Sequence, residues 1–239
     1  MTDSFFGESE WGRSFVCGWV PRREGVLRLA ERLKAMAVAL EGIQPGLGRL
    51  WPQFAARSLR PDDPGYLLDC PVEDLARLLD RRARSAPPQL PAPVGRDGYQ
   101  VALASRREDA MSMSCGANIW VDSDRYALDE PVRLSIDHDS PIWRSAEMAR
   151  RILLGLVDAW DAEWATAGTV IHLGLDEGRA LIAQRQPWMA WVATGHEAPA
   201  LRVRDAGAPL DVQAVRDGLM STWAWPPELP QPPKPRLSE

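Results

Sequence analysis

The sequence is poor in the residue types from which reactive sites are usually built. Its three histidines, His138, His172 and His196, lie far apart, and none stands with a second ligand at helix or hairpin spacing, which argues against a metal centre. Three cysteines, Cys17, Cys70 and Cys115, are odd in number and widely spaced, so neither a disulfide framework nor a paired metal motif follows, and buried thiols in a reducing compartment are expected. There is no basic excess: 28 Lys and Arg against 33 Asp and Glu give a net charge of −5, which excludes the positive field of a nucleic-acid-binding protein. No apolar run reaches membrane-spanning length. Residues 1–10 carry Asp3, Glu8 and Glu10 without a basic or apolar region, so no secretory leader is expected and a cytoplasmic location follows. Gly46-Leu-Gly48 lacks the third glycine of a dinucleotide loop and follows a helix, and neither a Gly-x-Ser-x-Gly elbow nor a phosphate loop occurs.

What is abundant is tryptophan, eleven residues against three tyrosines and four phenylalanines, which suits core packing with large apolar surfaces. The 239 residues are 45% hydrophobic, enough for one substantial core. The expected fold is a single α+β domain over residues 14–225, a mainly antiparallel sheet packed by three to five helices. Residues 1–13 read as a mobile lead-in and 226–239 as a Pro-rich extended tail.

Residues 14–20 read as a strand ended by Pro21. Val26, Leu29, Ala30, Leu33, Met36, Ala37 and Leu40 then recur at helical spacing, with Arg28, Glu31, Arg32 and Lys34 on the wet side and Gly42 as the stop. A loop-rich stretch follows to residue 68, with Trp51 packing back on the helix or strand. Pro71, Glu73 and Asp74 open a second helix with Leu75, Leu78 and Leu79 on its apolar face. Tyr99, Val101 and Leu103 alternate, as do Met111, Met113, Cys115 and Ala117, which predicts a hairpin, and Val132, Leu134 and Ile136 predict a third strand. A helix is expected from the cap Ser140 to Trp160, then a strand over 169–173 after a break at Gly168. The segment 179–184 reads as amphipathic, 188–194 as a central strand, 201–204 as its neighbour and 211–219 as a short closing helix.

Acidic residues cluster between positions 122 and 139, where Asp122, Asp124, Asp129, Glu130, Asp137 and Asp139 stand against Arg125 and Arg133. Asp158, Asp161 and Glu163 form a second group. Most are expected to be solvated, and the alternative is complementarity to a basic partner. His138, between Asp137 and Asp139, is the best placed histidine for chemistry because flanking carboxylates would raise its proton affinity.

Four short blocks carry a family resemblance: Gly18-Trp-Val-Pro-Arg-Arg-Glu24 with the helix running to Trp51; Cys115-Gly116; Leu153-Leu-Gly-Leu-Val-Asp-Ala-Trp-Asp-Ala-Glu-Trp164; and Trp188-Met-Ala-Trp-Val-Ala-Thr-Gly195. In order and spacing they resemble the immunity protein 52 family of bacterial polymorphic toxin systems. The resemblance implies a cytoplasmic antitoxin in interbacterial competition, including type VI secretion. It would bind the toxin encoded beside it, often one with a restriction-endonuclease-like fold, without turnover, cofactor, nucleic acid or membrane. It carries over no catalytic residues. Trp19, Arg23, Glu24, Trp51, Trp160 and Trp164 are expected to be structural, and the acids of 122–139 to be the toxin-binding surface. The rival readings are a small hydrolase using His138 and an adaptor recognised through its Pro-rich tail.

Overall fold

A strand with no wet face must lie inside a sheet. In β1 (Ser9–Gly18), Phe15 and Cys17 on one face and Ser14 and Val16 on the other are all at most 1% exposed. The computed structural model describes residues 9–19, 24–53, 66–84, 99–105, 115–121, 132–136, 140–176, 179–196 and 209–223. Within them β1 is followed by α1 (Val26–Ile43), β2 (Leu50–Gln53), α2 (Val72–Arg84), β3 (Tyr99–Ser105), β4 (Cys115–Val121), β5 (Val132–Ile136), α3 (Ala146–Trp160), β6 (Trp164–Asp176), β7 (Arg179–Ala193), β8 (Asp211–Val215) and β9 (Gly218–Thr222). The strands form one nine-stranded sheet in the order β2, β3, β4, β5, β1, β6, β7, β9, β8, with every pairing antiparallel. This is the expected single α+β domain.

The first strand therefore joins two halves, the meander β2 to β5 on one side and, on the other, β6 and β7 followed by the β8–β9 hairpin, which pairs through β9 and leaves β8 at the edge. It begins earlier than expected. Ser9 pairs with His172 and Arg13 with both Ile136 and Thr169, so residues 9–13 belong to the sheet and not to a lead-in. Gly12, which reads as a breaker, sits beside the register shift that lets the strand bend without leaving its ladder.

The apolar face of α1 forms as expected, with Leu29, Ala30, Leu33, Met36, Ala37 and Leu40 buried, but Arg32 is buried with them. Gly42 does not stop this helix. Helical glycine costs only about 1 kcal/mol relative to alanine, and the stop comes at Gln44, because the Glu41 carboxylate accepts from Gly46 N (2.9 Å) and Gly48 N (3.2 Å) and closes the turn beyond. The chain then enters an edge strand, β2, where a loop was expected. Pro52 is tolerated there because an edge strand can spare a backbone donor. Pro71 precedes α2, accepting from Leu75 N at 3.0 Å, with Glu73 and Asp74 in the first turn.

The helix expected from Ser140 is two pieces. Ser140 Oγ accepts from Ile142 N over a 3-10 turn at Pro141–Arg144, and Ser145 Oγ then caps α3 by accepting from Met148 N. Strand β6 runs through Gly168 without a break. Ala167 pairs with Met189 and Gly168 with Pro187, so Trp188 is an extra residue, and the bulge turns both Trp188 and Met189 inward at 2% exposure each. The segments expected apart at 179–184 and 188–194 are one strand, β7.

The largest correction is at 211–219, expected as a helix and folded as the β8–β9 hairpin. Its turn is Arg216-Asp217, with Arg216 at φ 57°, followed by Gly218. Glycine is needed at 218 because a Cβ would stand 2.4 Å from Val192 O and 2.6 Å from the Trp191 ring. The expected strand at 201–204, the spacer at 85–93 and the tail 226–239 lie outside the described residues. Gly218→Ala should therefore cost about 1–3 kcal/mol by overpacking, read as a lower denaturant midpoint in chemical unfolding; an unchanged midpoint would contradict this packing.

Candidate functional site

The first and third family-like blocks, far apart in sequence, meet at the end of the sheet where β1 finishes. Gly18 lies directly under Trp164, whose ring carbons would be 2.4 and 2.6 Å from a Cβ at that position. Trp19 stacks on Trp160 with centroids 5.4 Å apart and planes 5° from parallel. Glu163 N donates to Gly18 O at 2.9 Å and Ala193 N to Glu163 O at 2.9 Å, stitching β1, the start of β6 and the end of β7 together.

Beside this stack lies an ion cluster around a buried arginine, with Asp161 on its exposed side. The Arg32 side chain is 4% exposed and that of Glu24 9%. Arg32 Nε and Nη2 donate to the two Glu24 carboxylate oxygens at 2.6 and 2.7 Å, Nη2 also reaches Asp161 Oδ2 at 2.7 Å, and Nη1 donates to Ala159 O at 3.0 Å. The fork geometry of guanidinium suits this bidentate grip. Burial alone would lower the proton affinity of Arg32, but hydrogen bonds and charge from Glu24 and Asp161 outweigh it and raise it beyond the ordinary guanidinium value. A base whose folded pKa is raised contributes stability at every pH below its ordinary value and loses it only above, so the contribution of Arg32 does not change across physiological pH. Asp161 also ends α3, with φ 42° and its N–H bonded to Val157 O.

Arg32 was expected on the wet side; its position between Leu29 and Met36 on the inner face decides otherwise. Glu24 precedes the helix as expected but serves as a counter-ion. Trp51 is half-buried on the edge strand β2, edge-on to Tyr66 at 6.4 Å, away from the Trp19 stack. Arg23 lies outside the described residues.

A second aromatic cluster escaped the sequence reading. Phe15 stacks on Trp143 at 4.9 Å, Trp143 meets Trp188 edge-on at 5.6 Å, and the Arg13 guanidinium lies over both indoles at 5.8 and 5.5 Å. Arg13 is 7% exposed, so this is an internal cation–π contact. Arg133 on β5 is also largely enclosed, and burial lowers its guanidinium to about 10, leaving it charged at neutral pH.

The second acidic group is accounted for by pairing. Asp158 binds Arg216, Asp161 binds Arg32, and Glu163 Oε2 lies 3.2 Å from Nδ1 of the exposed His196. No hydroxyl or thiol bonds to His196 among the described residues. Among those residues no group of His, Cys, Asp and Glu could hold a metal ion, and no helix is long and apolar enough to cross a membrane. Cys17 and Cys70 are buried, and burial, aided by Asp74, pushes the Cys70 thiol up, away from thiolate chemistry.

His138 and the six acids Asp122, Asp124, Asp129, Glu130, Asp137 and Asp139 lie outside the described residues.

No family model matches this chain, and no curated protein matches it.

Truncation should expose the structural role of these blocks. Trp19→Ala should cost about 3–5 kcal/mol through the cavity it leaves. Glu24→Ala should cost less, about 1–3 kcal/mol, because Arg32 loses its bidentate partner but keeps Asp161 and Ala159 O. Equilibrium urea unfolding measures both, and near-neutral values would return these residues to the pool of binding candidates.

Proposed function

We propose that this protein is a cytoplasmic immunity protein that binds a cognate protein toxin and neutralises it by stoichiometric occlusion. The observation that carries the reading is the convergence of the family-like blocks. Gly18 with Trp164, Trp19 with Trp160, and Glu24 with Asp161 through Arg32 form one unit, although up to 146 positions separate partners such as Gly18 and Trp164. Blocks that define a scaffold in this way support a resemblance covering most of the chain, and they leave recognition to the connections around it.

A nuclease toxin would offer a basic cleft, and the acids of residues 122–139 would meet it with complementary charge, acting mainly on association rate and specificity. Of the rival readings, the hydrolase rests on His138 and the adaptor on the tail after Trp225, and no described contact favours either.

Co-expression with the product of the neighbouring gene tests the proposal. The pair should co-purify at equal stoichiometry and the chain should rescue cells from that product's toxicity; failure of both would exclude the antitoxin reading. Charge reversal should then be made separately at Asp129 with Glu130 and at Asp137 with Asp139. The group in contact should show slower association and a weaker salt dependence, and rescue unaffected by either reversal would move the interface off the acidic connections.

A further inference from the structure

The two edges of the sheet are treated differently. Strand β2 is four residues long and carries Pro52, which has no N–H to offer. Strand β8, Asp-Val-Gln-Ala-Val, has neither proline nor lysine, the usual devices against edge-to-edge pairing. Its residues 211–214 are exposed, and Val212 and Leu219 remain 51% and 52% exposed beside one another on the hairpin.

Which backbone groups face the free edge follows from the hydrogen-bond phase. Trp223 N donates to Trp188 O and Thr194 N to Asp217 O, which flank the pairs Met189 with Thr222 and Ala193 with Gly218. Thr222 and Gly218 therefore spend their own backbone groups toward β8, on Asp211 and Val215, and by alternation Met220 does so on Gln213. That leaves the N–H and C=O of Val212 and Ala214 pointing outward. Leu210 N already bonds Thr222 O at 2.9 Å, so the open stretch is short.

We propose that this edge pairs antiparallel with β8 of a second copy of the chain, about a two-fold axis through Gln213. In this register Val212 of each copy faces Ala214 of the other. Both are outward-bonding residues, so the phase is that of a hydrogen-bonded pair, and all four free donors and four free acceptors of the two copies are satisfied. A shift by one residue would set outward groups against inward ones.

The side chains agree with the backbone. Val212 and Ala214 make an apolar seam, and Asp211 faces Val215. On the helix-facing side Gln213, which lies on the axis, is held in place: Arg150 Nη1 donates to its Oε1 at 3.3 Å, and its Nε2 donates to Asp211 Oδ2 at 2.7 Å. The proposal does not depend on the antitoxin reading.

Sedimentation of the purified full chain over a concentration series tests it, with amide exchange by NMR as a direct readout. The expected result is a monomer–dimer equilibrium in which the Val212 and Ala214 amides become protected as the dimer forms. Ala214→Pro removes one outward donor without touching a bond to β9, and Val212→Lys places a charge on the seam; both should lose the dimer at unchanged circular dichroism. If the proline variant fails to fold, the lysine variant decides. A chain that stays monomeric throughout overturns the proposal, and so does a dimer that survives the folded variants.

Discussion

The architecture depends on one strand being buried on both faces. Among the described residues the two halves meet within the sheet only through β1, so the nine strands form one layer only if β1 can sit between β5 and β6. Such a strand needs neighbours that fill space without clashing. Cys17 and Gly18 provide this at its end, where Gly18 admits the Trp164 ring against the backbone itself. The same residue accepts the bond from Glu163 N that starts β6 in register. Substituting any larger residue at Gly18 would push apart the point at which the second half begins.

Immediately beyond β1 the chain turns into α1, and eight residues later it returns a guanidinium to Glu24. Arg32 can meet Glu24, Ala159 O and Asp161 together only when the start of α1 lies beside the end of α3. An apolar side chain in its place would pack in several registers with similar energy. A buried ion pair adds little net stability, since desolvation offsets most of the attraction, but a misaligned one is strongly disfavoured. The cluster thus selects one arrangement of α1 on α3, with the Trp19 and Trp160 stack closing over it.

The legible parts of this fold were those where hydrophobic period and burial agree. Alternation located β3 and β5, a run of β-forming residues ended by Pro21 located the core of β1, helical spacing located α1 and α2, and a run apolar on both faces located the buried half of β7. Misreadings came where residue type was allowed to outvote position. Arg32 follows Leu29 at the same spacing that brings the next turn inward, yet its charge suggested solvent. Arg13 was set aside with a polar lead-in, although Trp143 and Trp188 supply the faces that make an internal cation tolerable. Gly168 reads as a break and instead faces Pro187 at a bulge. The segment 211–219 is too short for period alone to decide between helix and hairpin, and the turn is set by Arg216-Asp217 with Gly218 behind it.

The candidate binding residues were less legible for a related reason. A cluster counted along the chain is a patch only if the fold brings its members together, and the period and burial that locate core elements say nothing of charges carried by the connections between them. Asp158, Asp161 and Glu163 show how a run of acids can dissolve. They stand within six positions of one another, yet they meet Arg216, Arg32 and His196 respectively, so the run becomes three separate contacts. A carboxylate already held by a fixed cation presents little of its charge to a partner, because the pair is seen from outside as a dipole that screening over about 8 Å weakens further. A count of acids along the sequence therefore measures the charge a segment carries and not the field it offers.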